Sequence, residues 1–267
     1  MNKYLAIIRI RFTNSLQYRA AAIAGMATQF AWGSMEILAF SAFYKVNPDA
    51  FPMEFSQTVS YIWMQQALLA LFMMWFFEGE IFSSITSGSI AYELARPIDL
   101  YNRWFCQTAA NRLAKAVLRC MPILIVAFAV PAPFRMSLPA SFKQFVLFLL
   151  STGLSLCVVV SFSMLIYIST FYTLSPIGIR LMAAALSDFL AGATIPLPFF
   201  PDPFRRIAEC LPFAAMQNMP LRVYSGNISG KDAATGILMQ VFWFVFLVIT
   251  GKLMMKNALK KVVVQGG

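Results

Sequence analysis

Apolar residues gather along this chain into six long runs, near Ala20–Tyr44, Val59–Phe77, Arg112–Val130, Lys143–Ser169, Ile177–Leu197 and Gly236–Met255. A hydrocarbon core about 30 Å thick needs roughly 20 apolar residues of helix to cross it. Leu, Ile, Phe, Met and Ala follow one another in these runs without the period-two alternation of a lipid-facing barrel strand. Peptide groups in lipid must bond internally, so the runs predict helices. The expected architecture is an all-α integral membrane domain over residues 1–267 with six transmembrane helices.

The segments between the runs carry patterns of their own. Over residues 1–19, Leu5, Ile8, Phe12 and Leu16 fall on one helical face with Tyr4 alongside. Arg9 and Arg11 flank that stripe, where they could snorkel to phosphate groups, so an interfacial helix is expected, or else an extension of the first span. In residues 78–103, Ile81 and Ile85 share a face, Gly88 interrupts, and Ile90 and Leu94 resume. Pro97 then ends the element, because proline disfavours helical geometry in the residue before it. With acids at Glu78, Glu80 and Glu93, this segment reads as a docking element for a cytoplasmic partner or as a solvated loop.

The short connection Lys45–Thr58 is marked by Pro48 and Pro52, Pro131–Phe142 is a proline-broken loop, and Phe171–Ser175 is a tight turn before Pro176. Residues 198–235 differ. Phe199, Phe200, Phe204, Ile207, Leu211 and Phe213 are too apolar for an exposed loop, and the prolines are too frequent for another span. A re-entrant or interfacial outer hairpin between spans five and six is expected.

Composition and charge sharpen this picture. The chain is 60% hydrophobic and 12% charged, with mean hydropathy +0.70, whereas soluble domains carry about a quarter charged residues. Fourteen Lys and Arg residues fall before the first span, in the 78–103 connection or just after it, at Arg180, and after the sixth span; seven fall on the other side. The positive-inside rule therefore expects both termini in the cytoplasm. That bias, together with anionic lipid, accounts for the net charge of +10 without any nucleic-acid partner. Residues 1–19 are too polar for the apolar core of a cleavable signal.

Catalytic chemistry is sparse. With no histidine, Ser–His and Cys–His nucleophile systems and H-E-x-x-H zinc sites are excluded. Cys106, Cys120, Cys157 and Cys210 form no C-x-x-C pair and read as apolar filler. Gly226–Asp232 superficially resembles a phosphate loop, but its glycine spacing is wrong and Asp232 stands where Ser or Thr must hold magnesium. Asn227-Ile228-Ser229 is a formal glycosylation sequon, informative only in a secretory-pathway protein.

Charges inside the spans carry the remaining signal, because such charges are costly and usually face a bundle interior. Glu36 lies toward the outer end of the first span and Asp188 near the middle of the fifth. Arg112, Lys115 and Arg119 share a face of the third, Arg112 and Lys115 reading as headgroup snorkellers. Arg119 should sit about 10 Å deeper, at ~1.5 Å per helical residue, where it could pair with Asp188. Glu36 reads either as a pathway or subunit-contact residue or as a partner in a structural hydrogen bond.

Two stretches resemble a known family, the membrane subunits of ABC transporters of the type-2 exporter class, especially bacterial permeases encoded separately from their ATPase. Gly88–Asp99 is similar to the family's cytoplasmic coupling segment between spans two and three. Gly192–Pro212, with Pro196, Pro198, Pro201 and Pro212, is similar to its re-entrant outer hairpin. The resemblance implies a permease in the bacterial plasma membrane that dimerises with an identical or paralogous permease. It also implies two ABC ATPase partners that hold the ATP and magnesium, leaving no cofactor in this chain. Under it, Ile85, Gly88, Glu93, Leu94, Arg96 and Pro97 would couple to the ATPase, with Glu93 and Arg96 as charge contacts and Leu94 as an apolar plug. Spans one and five would line the dimer seam, where Ala21, Gly25, Gly33 and Ala184 permit close approach. Met26, Phe30, Trp32 and Met35 make that seam apolar, suiting an amphipathic peptide, lipid-like molecule or hydrophobic drug. The competing reading is an ATP-independent secondary transporter or channel using Asp188 or Glu36.

Overall fold

The computed structural model describes residues 3–16, 19–47, 51–173 and 175–260; Pro48, Lys261, the outermost ends of the 1–19 segment and the side chains of Arg19 and Ala21 lie outside that description. Among the described residues all regular structure is helical, with no strand. In chain order the helices are α1 (Lys3–Ser15), α2 (Arg19–Val46), α3 (Phe55–Ala67), α4 (Leu69–Phe72), α5 (Gly79–Thr86), α6 (Ile90–Leu94) and α7 (Leu100–Ala129). Then come α8 (Phe142–Thr173), α9 (Ile177–Leu190), a 3-10 turn at Leu197–Phe199, α10 (Asp202–Cys210), α11 (Pro212–Met216), α12 (Asn218–Ser225) and α13 (Gly230–Leu259).

By length and composition, α8 and α13 are the two described helices apolar enough throughout to cross a membrane. They form the most extensive helix pair in the molecule. The seam between them is fastened by a fully buried amide. Gln240 Nε2 donates to Ser151 O at 3.1 Å, Ser155 Oγ at 2.9 Å and Ala215 O at 2.9 Å, while its Oε1 accepts from Ser151 Oγ at 2.9 Å. The opposite face of α13 leaves Leu238, Phe242, Val245, Ile249 and Leu253 exposed at helical spacing. Such a continuous apolar stripe is tolerated against hydrocarbon and promotes aggregation in water.

The helices α2 and α7 are nearly as long, at 28 and 30 residues, but more polar. Asp99 caps α7 by accepting from Asn102 N at 2.8 Å, so this helix starts well before the predicted span at Arg112. Helix α1 lies along α7. Of its predicted apolar stripe, Ile8, Phe12 and Leu16 are partly covered while Leu5 is exposed. Arg11 is not left to lipid phosphates, because its Nη1 pairs with Glu80 on α5 at 2.8 Å.

Two predicted spans are corrected. Val59–Phe77 is not one helix: α3 stops at Ala67, α4 adds a single turn, and Met73 is extended at φ −68°, ψ 135°. Ile177–Leu197 ends as a helix at Leu190, where Gly192 adopts φ +77° and the chain turns back. A Cβ on Gly192 would stand 2.9 Å from Leu197 N, so both the left-handed backbone and the close approach demand glycine.

Pro196, Pro198, Pro201 and Pro212 of the outer segment each sit at the start of a helical turn. Pro196 precedes the 3-10 turn and Pro198 lies inside its start; Pro201 precedes α10 and Pro212 opens α11. Proline suits such positions because its fixed φ matches a helix start and its missing N–H would have no intrahelical partner there. Helix α10 lies at the surface, while α11 and α12 are largely buried against α3, α8 and α13. Arg222 on α12 clasps the segment, donating to Glu209 and to Asn227 Oδ1 at 2.7 Å. The phosphate-loop lookalike is the connection from α12 to α13: Gly226 caps α12 at φ +80° and Ser229 precedes α13.

Candidate functional site

The break after α3 organises the site. Where helical bonding fails, the carbonyls of Leu71, Met73 and Phe76 lose intrahelical partners, and all three are taken by one side chain. Arg112 Nη1 donates to Leu71 O at 3.2 Å and Met73 O at 2.8 Å, and Nη2 donates to Phe76 O at 2.7 Å. Only 1% of Arg112 is exposed. The expectation that it snorkels to headgroups is therefore overturned: its planar fork substitutes for the missing helical donors.

Beside this break lies a cavity of about 690 Å³. One face of α2, at Gly25, Gln29, Trp32, Glu36 and Ala39, forms its longest wall. The helical spacing 25, 29, 32, 36, 39 extends that wall over about 20 Å. Gln65 and Gln66 of α3, the broken segment at Met73–Phe76, Arg119 of α7, and Asp188 with the turn after α9 complete the lining. Of the span charges singled out from the sequence, Glu36, Arg119 and Asp188 thus line the same chamber. Arg119 and Asp188 form no ion pair within 4.0 Å among the described residues. Arg119 instead lies over the Phe76 ring, 5.8 Å from its centroid, and against Gly25, where a Cβ would stand 2.9 Å from its Cζ.

Sequence reasoning missed two members of this chamber. Gln29 and Gln65 are 3% and 2% exposed. Gln29 Nε2 donates to Gln66 O at 3.2 Å, and Gln65 Nε2 donates to Ala193 O at 2.7 Å. Those bonds orient the amides and leave each Oε1 with no hydrogen-bond partner. Polar amides inside apolar runs were the available signal. Gly25 and Gly33, expected at a seam with another chain, are used within this one: a Cβ on Gly33 would meet Gln66 Cγ at 2.9 Å.

A second, more polar cavity of about 340 Å³ lies beneath α1, lined by Arg11, Glu78, Glu80, Asn111 and Lys115, and it shares Phe76 and Arg119 with the first. Next to it, α5 and α6 form a bent surface hairpin around Gly88, which adopts φ +75° in open space. Ile85 is half-buried, while Leu94, Arg96 and Pro97 are exposed. Glu93 does not face outward. Its Oε2 accepts from Trp104 Nε1 at 2.8 Å and pairs with Arg103 at 3.3 Å, tying α6 down to α7. Pro97 also braces the hairpin, accepting from Lys3 Nζ at 2.7 Å through its carbonyl. Tyr92, 79% exposed beside Leu94, is a surface aromatic that the sequence reading passed over.

The hairpin reaches the membrane helices through aromatic contacts. Glu78 N donates to Tyr167 Oη of α8 at 2.8 Å, and the Phe82 ring packs at a 59° tilt against Tyr167, with centroids 5.0 Å apart. Arg180, near the start of α9, lies 5.1 Å from the Phe82 ring centroid. The same helix carries Asp188, two turns later, to the cavity.

No curated protein matches the chain. The family described as "ABC-2 family transporter protein" matches residues 30–266, which include every cavity-lining residue named above except Arg11, Gly25 and Gln29, together with the whole α5–α6 hairpin and the outer segment. The chain is therefore a member of the ABC-2 transporter family, a membrane transport component that is not itself catalytic.

Proposed function

We propose that this protein is the membrane permease subunit of an ATP-driven exporter, working as a dimer with an identical or paralogous permease and moved by separate ABC ATPase subunits. ATP and magnesium are held by those partners. In this reading the chain crosses a bacterial inner membrane six times, with both termini cytoplasmic, α1 at the inner interface and the α10–α12 segment re-entering from outside. The α5–α6 hairpin is the ATPase contact. Tyr92, Leu94 and Arg96 present its exposed face, Gly88 and Pro97 set its bend and exit, Ile85 packs its base, and Glu93 holds it in place.

The observation that carries this reading is the physical continuity from hairpin to cavity. Phe82 on α5 touches Arg180 on α9, and α9 delivers Asp188 to the chamber that also holds Glu36 and Arg119. A push on the hairpin would reach the chamber through packed side chains. The test is co-expression with an ABC ATPase, followed by co-purification and ATP hydrolysis in proteoliposomes. Stable association, lost in Leu94→Asp, supports the reading. Proton- or ion-coupled transport by the chain alone would instead favour an ATP-independent carrier working through Asp188 or Glu36.

A further inference from the structure

We infer that the 340 Å³ recess beneath α1 is a binding site for the phosphate of a membrane phospholipid, held by Asn111, Lys115 and Arg119 of α7. Such a site lies beyond the permease reading and needs only the membrane setting that the family supplies.

Three nitrogen donors in the recess have nothing to bond. Asn111, Lys115 and Arg119 follow one another at four-residue spacing, so α7 presents them on one face. Ser15 Oγ donates to Asn111 Oδ1 at 3.0 Å, which fixes the amide and leaves its Nδ2 without a partner among the described residues. Asn111 is itself only 6% exposed. Lys115 Nζ and Arg119 Cζ lie 5.6 and 5.8 Å from the centroid of the same Phe76 ring. Neither has a carboxylate within 4.0 Å among the described residues. A ring face attracts a cation without replacing a counter-ion, and like charges one helical turn apart repel each other. These donors are not sealed inside the protein. The unpartnered nitrogens that the described fold closes off from solvent are Arg103 Nη1 and Arg112 Nε, whereas those of Asn111, Lys115 and Arg119 keep accessible surface.

Charge selects an anion for them. Arg11, Lys115 and Arg119 line the recess against two acids, and Glu80 is already taken by Arg11 at 2.8 Å and by Gln107 Nε2 at 3.3 Å. Glu78, the other acid, forms no ion pair within 4.0 Å among the described residues. A phosphate has oxygens enough to accept from Lys115, Arg119 and Asn111 together, in charge-assisted bonds.

The surroundings select a lipid over a free anion. Phe76 and Leu118 bring apolar surface into the recess, and Phe76 and Arg119 also line the larger chamber, whose walls include Trp32, Met35 and Leu69. Helix α1 contributes Arg11, Asn14 and Ser15 to the recess while Leu5 and Ile10 stay exposed, as on a helix set in a membrane interface. Donors held between polar and apolar surroundings suit a lipid phosphate, and basic pockets beside membrane helices take such headgroups. On the orientation proposed above, the lipid belongs to the inner leaflet.

The test is native mass spectrometry of the delipidated full chain in detergent, without any ATPase. Dioleoyl phosphatidylglycerol supplies the phosphate on an apolar body. Dioleoylglycerol keeps the chains without the phosphate, and glycerophosphoglycerol keeps the phosphodiester without the chains. The first phosphatidylglycerol should bind saturably and about tenfold more tightly than dioleoylglycerol, the gain of a charge-assisted hydrogen bond. A large excess of glycerophosphoglycerol should not displace it. Lys115→Gln and Asn111→Ala should each weaken phosphatidylglycerol by about tenfold, while Lys256→Gln, at an exposed position near the end of α13, should leave it unchanged. Equal binding of dioleoylglycerol, unchanged binding in both recess variants, or an equal loss in Lys256→Gln overturns the inference. Displacement by glycerophosphoglycerol overturns the lipid and assigns the recess to a free phosphodiester. Should a variant fail to fold, the three compounds on the unaltered chain decide alone. Because no partner is present, failure here leaves the ATPase reading standing, and failed ATPase association leaves the lipid site standing.

Discussion

Arg112 Nη1 lies 2.8 Å from the carbonyl oxygen of Met73, thirty-nine positions earlier in the chain. That bond and its two neighbours let the α3–α4 segment stop being a helix inside a buried environment. Replacing Arg112 by leucine would strand three carbonyls, and each buried unpaired group costs about 1–3 kcal/mol. We expect Arg112→Leu to lower the unfolding temperature in detergent more than any single change at Lys115. Arg112→Lys should recover only part of the loss, because a point-like ammonium cannot span all three oxygens. Equal stability of the leucine variant and the parent would show that the break is held by something else.

Gln240 is the second structural keystone. Its amide serves Ser151, Ser155 and Ala215 together, joining α8, α11 and α13. Gln240→Leu should cost about 1–3 kcal/mol by leaving part of that network unsatisfied. Thermal unfolding followed by tryptophan fluorescence checks this, and a shift indistinguishable from that of Leu238→Ala on the exposed face would contradict it.

The hairpin residues should separate into two classes. Leu94→Asp and Tyr92→Ala alter the outer face and should reduce ATPase association without changing the melting temperature. Glu93→Arg breaks the bonds to Trp104 and Arg103 and sets two cations together. It should therefore impair both association and stability. Identical profiles for all three would erase the distinction between face and strut.

Gly192→Ala tests the turn after α9. A left-handed backbone costs a non-glycine residue roughly 1–2 kcal/mol, and here the new methyl also meets Leu197 N. Gly79, which has open space around it and no positive φ, is the matched control, and Gly79→Ala should be nearly neutral. Comparable losses at both sites would refute the argument.

The sequence made the long elements legible, because runs of about twenty predominantly apolar residues leave little choice but helix, even in α7, where Pro122 lies inside the run. Four helices, α2, α7, α8 and α13, follow from that pattern with shifted ends. The interruption at Leu68–Phe77 did not, since no glycine or proline marks it and its cause, Arg112, lies far along the chain. The same distance effect hid the chamber. Glu36, Arg119 and Asp188 stood out as buried charges, but only folding shows that three different helices aim them at one space. Gln29 and Gln65 were overlooked because an uncharged amide in an apolar run raises no alarm until its oxygen is found without a donor.

The boundary shared by the two cavities ties their shapes together. Phe76 and Arg119 belong to both linings, so the polar recess and the larger chamber have a wall of side chains in common. The guanidinium at this wall rests in the space that Gly25 leaves by having no methyl, since a Cβ there would stand 2.9 Å from its Cζ. Valine at position 25 would push the guanidinium off that seat and so remodel two chambers with one substitution.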